Sequence, residues 1–265
     1  MFEYDFMRTA FMAGGVVAIV AGTVGYFLVL RNLTFAGHAL SHVGFAGATG
    51  SVLLGIGALW GLLAFTLAAA VAMGMLGDRL RNRDVAVGII LSLALGLGVL
   101  FLYLYTTSAS EATAILFGNL LGVGVETLWG LLGLSVVGML ALAAISRPLL
   151  FATLAPELAE AKGVSLRLVS VLFLAIVAVA VAEAAQVVGV LLVFALMVGP
   201  AAASLRLASR LRAGVALSLA LAETWGGIAL AYLTDWPTTF WIVVLSCLVY
   251  FASFLLKPTS PARAS

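Results

Sequence analysis

LLFATLAPELAEAKGVSLR, residues 149–167, is the least membrane-like stretch of the chain. Long apolar runs flank it on both sides, and between them it spells a short helix with both ends marked. Pro156 suits a first helical position, Glu157 and Glu160 suit the positive N-terminal end, and Lys162 followed by Gly163 suits the C-terminal end. Only about two turns fit between Pro156 and Lys162, too few to stand alone in water. A capped helix of that length needs something to pack against. Its place between apolar runs makes a soluble partner on the cytoplasmic side the candidate.

The flanks set the fold class. Of 265 residues, 64% are hydrophobic and 9% charged, and mean hydropathy is +1.24, whereas soluble domains carry roughly 25% charged residues. The composition predicts an all-α, polytopic transmembrane bundle forming a single domain over 1–265. With about 20 apolar residues needed per span, nine candidate spans are read: 11–30, 41–56, 59–76, 85–105, 127–145, 168–185, 187–205, 213–233 and 238–256. The stretch 41–56 is short and carries Gly44, Gly47 and Gly50, and the break near Gln186 is barely polar, so the count stands at eight to nine. No signal-peptide pattern precedes the first run, which is expected to be retained. After Glu111, ATAILFGNLLGVGVE is apolar but short. It reads as a short or re-entrant helix on the outer side, about 111–123, with an extra span as the other reading. The single Cys247 leaves no intramolecular disulfide and no thiolate cluster.

Charge placement orients the bundle. With 149–167 inside, twelve of the 13 Lys and Arg are inside: Arg31, Arg79, Arg81, Arg83, Arg147, Lys162, Arg167, Arg206, Arg210, Arg212, Lys257 and Arg263. Arg8 alone stays outside, together with Glu3, Asp5, Glu111, Glu126 and Asp235. The positive-inside rule then puts the N-terminus outside and the C-terminus in the cytoplasm. Trp129, Trp236 and Trp241 fall near outer span ends, where interfacial aromatics belong.

Ionisable residues inside spans are costly and are functional candidates by default. His38 and His42, in FAGHALSHVGFAG, are four apart and share one face of a helix, within reach of one cation. Neutral imidazole is the commonest ligand for first-row metals; the competing reading has both rings bonded to backbone carbonyls at a helix start. Glu183 and Gln186 lie where the sixth span meets the seventh, near the outer side, either at a pathway mouth or snorkelling to the interface. Glu223, in ALAETWGGIAL, lies near mid-depth and should face the bundle interior. Gly199-Pro200 interrupts the seventh span, because proline removes a backbone bond; the pair reads as a hinge or a static kink. The chain has no G-x-x-x-x-G-K-[ST] phosphate loop, no H-E-x-x-H and no G-x-S-x-G. It is not expected to be an enzyme, and ATP, if it drives transport, belongs to a partner.

These motifs resemble the membrane permease subunit of the bacterial metal-ion ABC importers of the zinc and manganese group. The resemblance is carried by GYFLVLRNLTFAGHALSHVGFAGATG, by LLFATLAPELAEAKGVSLR, by VVGVLLVFALMVGPAAASLRLA and by FGNLLGV at 117–123, in order, over about 10–255. Ser41 and His42 fall on the family's Ser-His and Gly47 on its following Gly. His38 stands where the family often has Asp, and Phe45-Ala46 replaces a more usual apolar-Pro pair.

The resemblance implies a permease in the bacterial cytoplasmic membrane moving a divalent metal, zinc or manganese, as substrate, with no cofactor bound directly. It implies a second permease copy with the pathway at the interface, a cytoplasmic ATP-binding subunit and an extracytoplasmic metal-binding protein, in membrane lipid and with no nucleic acid. It makes 149–167 the coupling element, with Pro156, Glu157, Ala161 and Gly163 at the ATPase, and His38, His42, Glu183 and Glu223 the metal-site candidates. The alternative is a stand-alone secondary transporter coupled to an ion gradient through Glu183 or Glu223. Inverted repeats are the usual mark of that class, and no convincing one is present.

Overall fold

Ten α-helices and one 3-10 turn follow one another in a computed structural model that describes residues 3–76, 83–104, 116–207 and 212–255. They are α1 Asp5–Leu30, α2 Thr34–Leu53, α3 Ala58–Leu76, α4 Arg83–Leu104, the 3-10 turn Leu120–Gly122, α5 Val125–Leu154, α6 Pro156–Ala161, α7 Leu166–Val188, α8 Val190–Arg206, α9 Arg212–Thr234 and α10 Thr238–Leu255. No strand occurs among the described residues. Arg79, Arg81, Glu111, Arg210, Lys257, Arg263 and the first part of the outer segment, 111–115, lie outside the described residues, as does the side chain of Arg83.

Seven helices (α1, α3, α4, α5, α7, α9 and α10) are long and apolar enough to cross a membrane, so the chain is a multi-pass membrane protein. Helix α2, diluted by glycine and two histidines, and α8, with 17 residues, fall outside that set although both are helical where spans are expected. Of these seven, α1 and α7 are the most buried, while α4 and α10 present most of their surface outward. Around α1 pack α5, α7, α8 and α9; α2 packs on α3 and α4 and also meets α7 and α8.

Helix ends follow their caps. Helix α6 starts with Pro156 at its first turn and ends in a Schellman motif. There Gly163 N–H donates to Glu160 O at 2.9 Å and Val164 N–H to Ala159 O at 2.9 Å. Gly163 takes φ +82°, which a side chain resists. Ser165 caps α7 by accepting from Leu168 N–H at 3.3 Å. Two boundaries differ from the sequence reading. Helix α5 does not stop at residue 145 but runs through Arg147 and Pro148 to Leu154. At about 1.5 Å per residue it is about 45 Å long, well beyond a hydrocarbon core of about 30 Å. The break between the sixth and seventh spans is not at Gln186, which is helical, but at Gly189, with φ +82°.

The segment expected to re-enter from the outer side is described from Leu116 onward. Its Gly118, φ +73°, lies directly against Gly189, with backbone meeting backbone at the α7–α8 junction. Asn119 then caps the 3-10 turn by accepting from Gly122 N–H at 3.1 Å. A Cβ on Gly189 would run into the backbone of residues 116–118, whereas one on Gly163 meets open space.

Both glycines have positive φ, so they separate conformational strain from overlap. Gly163→Ala is expected to cost about 1–2 kcal/mol, the left-handed penalty alone. Gly189→Ala adds overpacking of about 1–3 kcal/mol. Thermal midpoints of the purified variants in detergent should therefore fall further for Gly189→Ala; equal losses would contradict this packing.

Candidate functional site

Helix α2 carries both histidines, and its glycines decide which way they face. Gly44 lies against Leu62 and Thr66 of α3, Gly47 against Gly61 and Phe65 of α3, and Gly50 against Phe101 of α4. Gly47 is nine residues from His38, half a turn round the helix at 3.6 residues per turn. The histidine face therefore points away from α3. There the His38 and His42 rings meet edge to face, centroids 4.7 Å apart, and His38 also meets Phe194 of α8 at 5.1 Å. Both imidazoles are half-buried. Neither makes a hydrogen bond to the described residues, so no backbone carbonyl among them occupies the rings. The Ser41 hydroxyl between them donates to Gly37 O at 3.2 Å within the helix.

Phe194 is 36% exposed, and the surface beyond it runs over Val198 and Gly199 of α8 to Cys247, Tyr250 and Phe251 of α10. The imidazole pair thus sits at the edge of an open apolar face. Among the described residues, no group of three or more His, Cys, Asp or Glu side chains comes together. The described residues therefore offer the two imidazoles there and no third ligand of those types beside them.

Glu183 and Glu223 are not brought to the histidines as a cluster. Glu183, on α7, is 1% exposed, which excludes the snorkelling reading. Its Oε2 accepts from the Ser135 hydroxyl of α5 at 3.1 Å, and its Oε1 has no donor among the described residues. Gln186, one turn further along α7, likewise has an unpartnered Oε1. Glu223, on α9, is 2% exposed, and neither carboxyl oxygen has a donor in bonding geometry among the described residues. Both carboxyls face the bundle interior, as expected of charge-bearing groups in spans.

Gly199 and Pro200 lie inside a continuous α8 and do not interrupt it. The backbone there is supported from outside: Ser246 of α10, seated against Gly199, donates to Ala195 O at 3.0 Å. Helix α6 is anchored by Ala159, fully buried, while Pro156, Glu157, Glu160, Ala161, Lys162 and Gly163 are exposed. Leu154 and Leu158 beside them are exposed at 73% and 52%, an apolar edge on an otherwise polar knob. The Gly118–Gly189 interlock escaped the sequence reading because it joins positions 71 residues apart. FGN and VVGV were visible as motifs, but not as partners.

The carboxyl network gives a direct check. Ser135→Ala removes the one donor that Glu183 has among the described residues and is expected to cost about 1–3 kcal/mol, lowering the thermal midpoint. Ser146→Ala, whose exposed hydroxyl bonds only Ala143 O on its own helix, should leave it unchanged. Equal responses would show that the Ser135–Glu183 bond carries no weight.

The chain matches the model of the ABC 3 transport family over residues 3–257. It is 30% identical over 259 residues to the manganese import system permease protein ScaB of Streptococcus parasanguinis, covering 97% of this chain and 92% of that one. It is 27% identical over 265 residues to the manganese transport system membrane protein MntC of Listeria monocytogenes, covering 97% and 93%. Among solved structures, PsaBC from Streptococcus pneumoniae in complex with Fab superposes with a TM-score of 0.85 at 27% identity, covering 96% of this chain and 93% of that one. With helices, motif order and full-length similarity in agreement, the chain belongs to the ABC 3 transport family.

Proposed function

We propose that this chain is the permease subunit of an ATP-driven importer that moves a divalent metal ion across the cytoplasmic membrane. The observation that carries the reading is the His38–His42 pair, edge to face at 4.7 Å and without hydrogen bonds to the described residues, in a chain of a transport family. Two imidazoles are too few to coordinate an ion alone. Their place at the edge of an open apolar face supports a second copy of the permease, which completes a site of four. Relatives are named for manganese. Manganese favours oxygen donors, whereas imidazole suits zinc, which is commonly four-coordinate. His38, standing where the family often has Asp, therefore shifts this chain's preference toward zinc.

In this reading all nine helices that fall on the sequence-read spans cross the membrane, with α2 and α8 as lining helices and the N-terminus outside. The apolar-edged knob at α6 docks on a cytoplasmic ATP-binding subunit through Pro156, Glu157, Ala161 and Gly163. An extracytoplasmic binding protein delivers the ion to the opposite face. Glu183 and Glu223 belong to the pathway as buried carboxyl groups, and Gly199-Pro200 lets α8 flex against Ser246. The gradient-driven alternative is not favoured, because full-length relatives are named as import-system and transport-system membrane proteins and the family is an ABC family.

The test is uptake by the permease reconstituted in vesicles with its ATP-binding subunit and binding protein. Import is expected with ATP and not with a proton gradient alone, and zinc is expected to outcompete manganese. His42→Ala should lower import at limiting metal by at least about tenfold, the equivalent of one ligand interaction of about 1.4 kcal/mol or more. Undiminished import by His42→Ala would remove the histidines from the pathway, and import driven by the gradient alone would overturn the ATP-driven reading.

A further inference from the structure

Arg31 follows α1 and is legible in the sequence only as one more inside charge. In the structure its guanidinium joins three helices. Nη1 donates to the Thr153 hydroxyl at 3.0 Å and to the Leu149 carbonyl at 3.4 Å, both on α5. Nη2 donates to the Ser170 hydroxyl of α7 at 3.1 Å. The Thr153 hydroxyl itself donates to Leu149 O at 2.6 Å, which fixes its lone pairs toward the guanidinium. The ring of Phe173, fully buried on α7, lies 5.8 Å from Cζ.

These partners sit where the α6 loop begins and ends. Thr153 is in the last turn of α5 and Ser170 is in the second turn of α7, so one planar group grips both stalks from which α6 hangs. On its other side Arg31 leads straight into α2. Asn32 takes φ +55° in a Schellman turn, with Asn32 N–H donating to Val29 O at 3.0 Å and Leu33 N–H to Leu28 O at 2.9 Å. Leu33 is 3% exposed and α2 begins at Thr34, so no slack separates Arg31 from His38.

We propose that Arg31 is a positioning residue that transmits movement of the α6 loop to the histidine-bearing helix α2. The inference rests on the docking of an ATP-binding subunit at α6. The fork geometry matters: a guanidinium reaches acceptors on α5 and α7 at once, while a lysine ammonium is a single point donor on a flexible stem. Displacement of either stalk therefore pulls the end of α1 and the start of α2 together with it.

The experiment measures ions imported per ATP hydrolysed by the complete transporter in vesicles, and separately zinc bound by the permease without nucleotide. Arg31→Gln and Arg31→Lys should each lower the ions moved per ATP by at least about fivefold, the low end of coupling between two sites, while zinc binding stays unchanged. Ser170→Ala, which frees only the α7 stalk, should give a smaller drop. If Arg31→Gln does not assemble, the double variant Thr153→Val, Ser170→Ala keeps the charge, removes both hydroxyl acceptors and carries the same expectation. An unchanged ratio in Arg31→Gln, or import and ATP hydrolysis falling in proportion, overturns the inference while leaving the importer reading intact. A wild-type complex without ATP-dependent import overturns both.

Discussion

Backbone lying directly on backbone, at glycine, is the contact on which this bundle depends. Lipid tails are as apolar as leucine, so helices gain little by hiding apolar side chains from lipid and must gain by close packing. Gly25 of α1 lies on the Met197 backbone of α8, Gly47 of α2 on Gly61 of α3, and Gly118 on Gly189 at the α7–α8 junction. Each is a place where a methyl group would overlap a neighbouring main chain. The crossing of α2 and α3 does more than hold the pair together. By committing the glycine face of α2 to α3, it leaves His38 and His42 on the face that meets Phe194 of α8.

The same economy of small residues explains what was legible beforehand. Helices longer than a bilayer announce themselves by apolar length, and the ends of α6 by Pro156 and Gly163, so the polar knob was readable to within a residue. Helix α5 was read too short because Arg147 and Pro148 mark an exit from lipid, and an exit from lipid is not an end of helix. The break expected near Gln186 is barely polar, and glutamine is a good helix former. The break belongs to Gly189, whose positive φ no other residue takes as easily. Gly199-Pro200 looked like an interruption, but a hydroxyl from α10, invisible locally, braces the backbone beside it.

For the site, spacing sufficed to put the two imidazoles on one helix face, since that follows from the pitch alone. It did not reveal that Glu183 and Glu223 are buried apart from them, nor that Ser135 reaches Glu183 from a helix 48 residues away. Arg31 was the largest omission. Counted as charge, it fixes orientation; seen with Thr153, Ser170 and Phe173, it ties both α6 stalks to the residues that lead into α2. Long-range partners of this kind leave no periodic trace in a sequence.

The proposed site, one ion shared by two chains through four imidazoles, is open to direct measurement. X-ray absorption on the zinc-loaded permease, combined with metal analysis, tests it most directly. A shared site requires one zinc for every two chains and a shell of nitrogen at about 2.0–2.1 Å, lost in a His38→Ala, His42→Ala variant. One zinc per chain, or a shell dominated by oxygen that survives removal of both histidines, would contradict it.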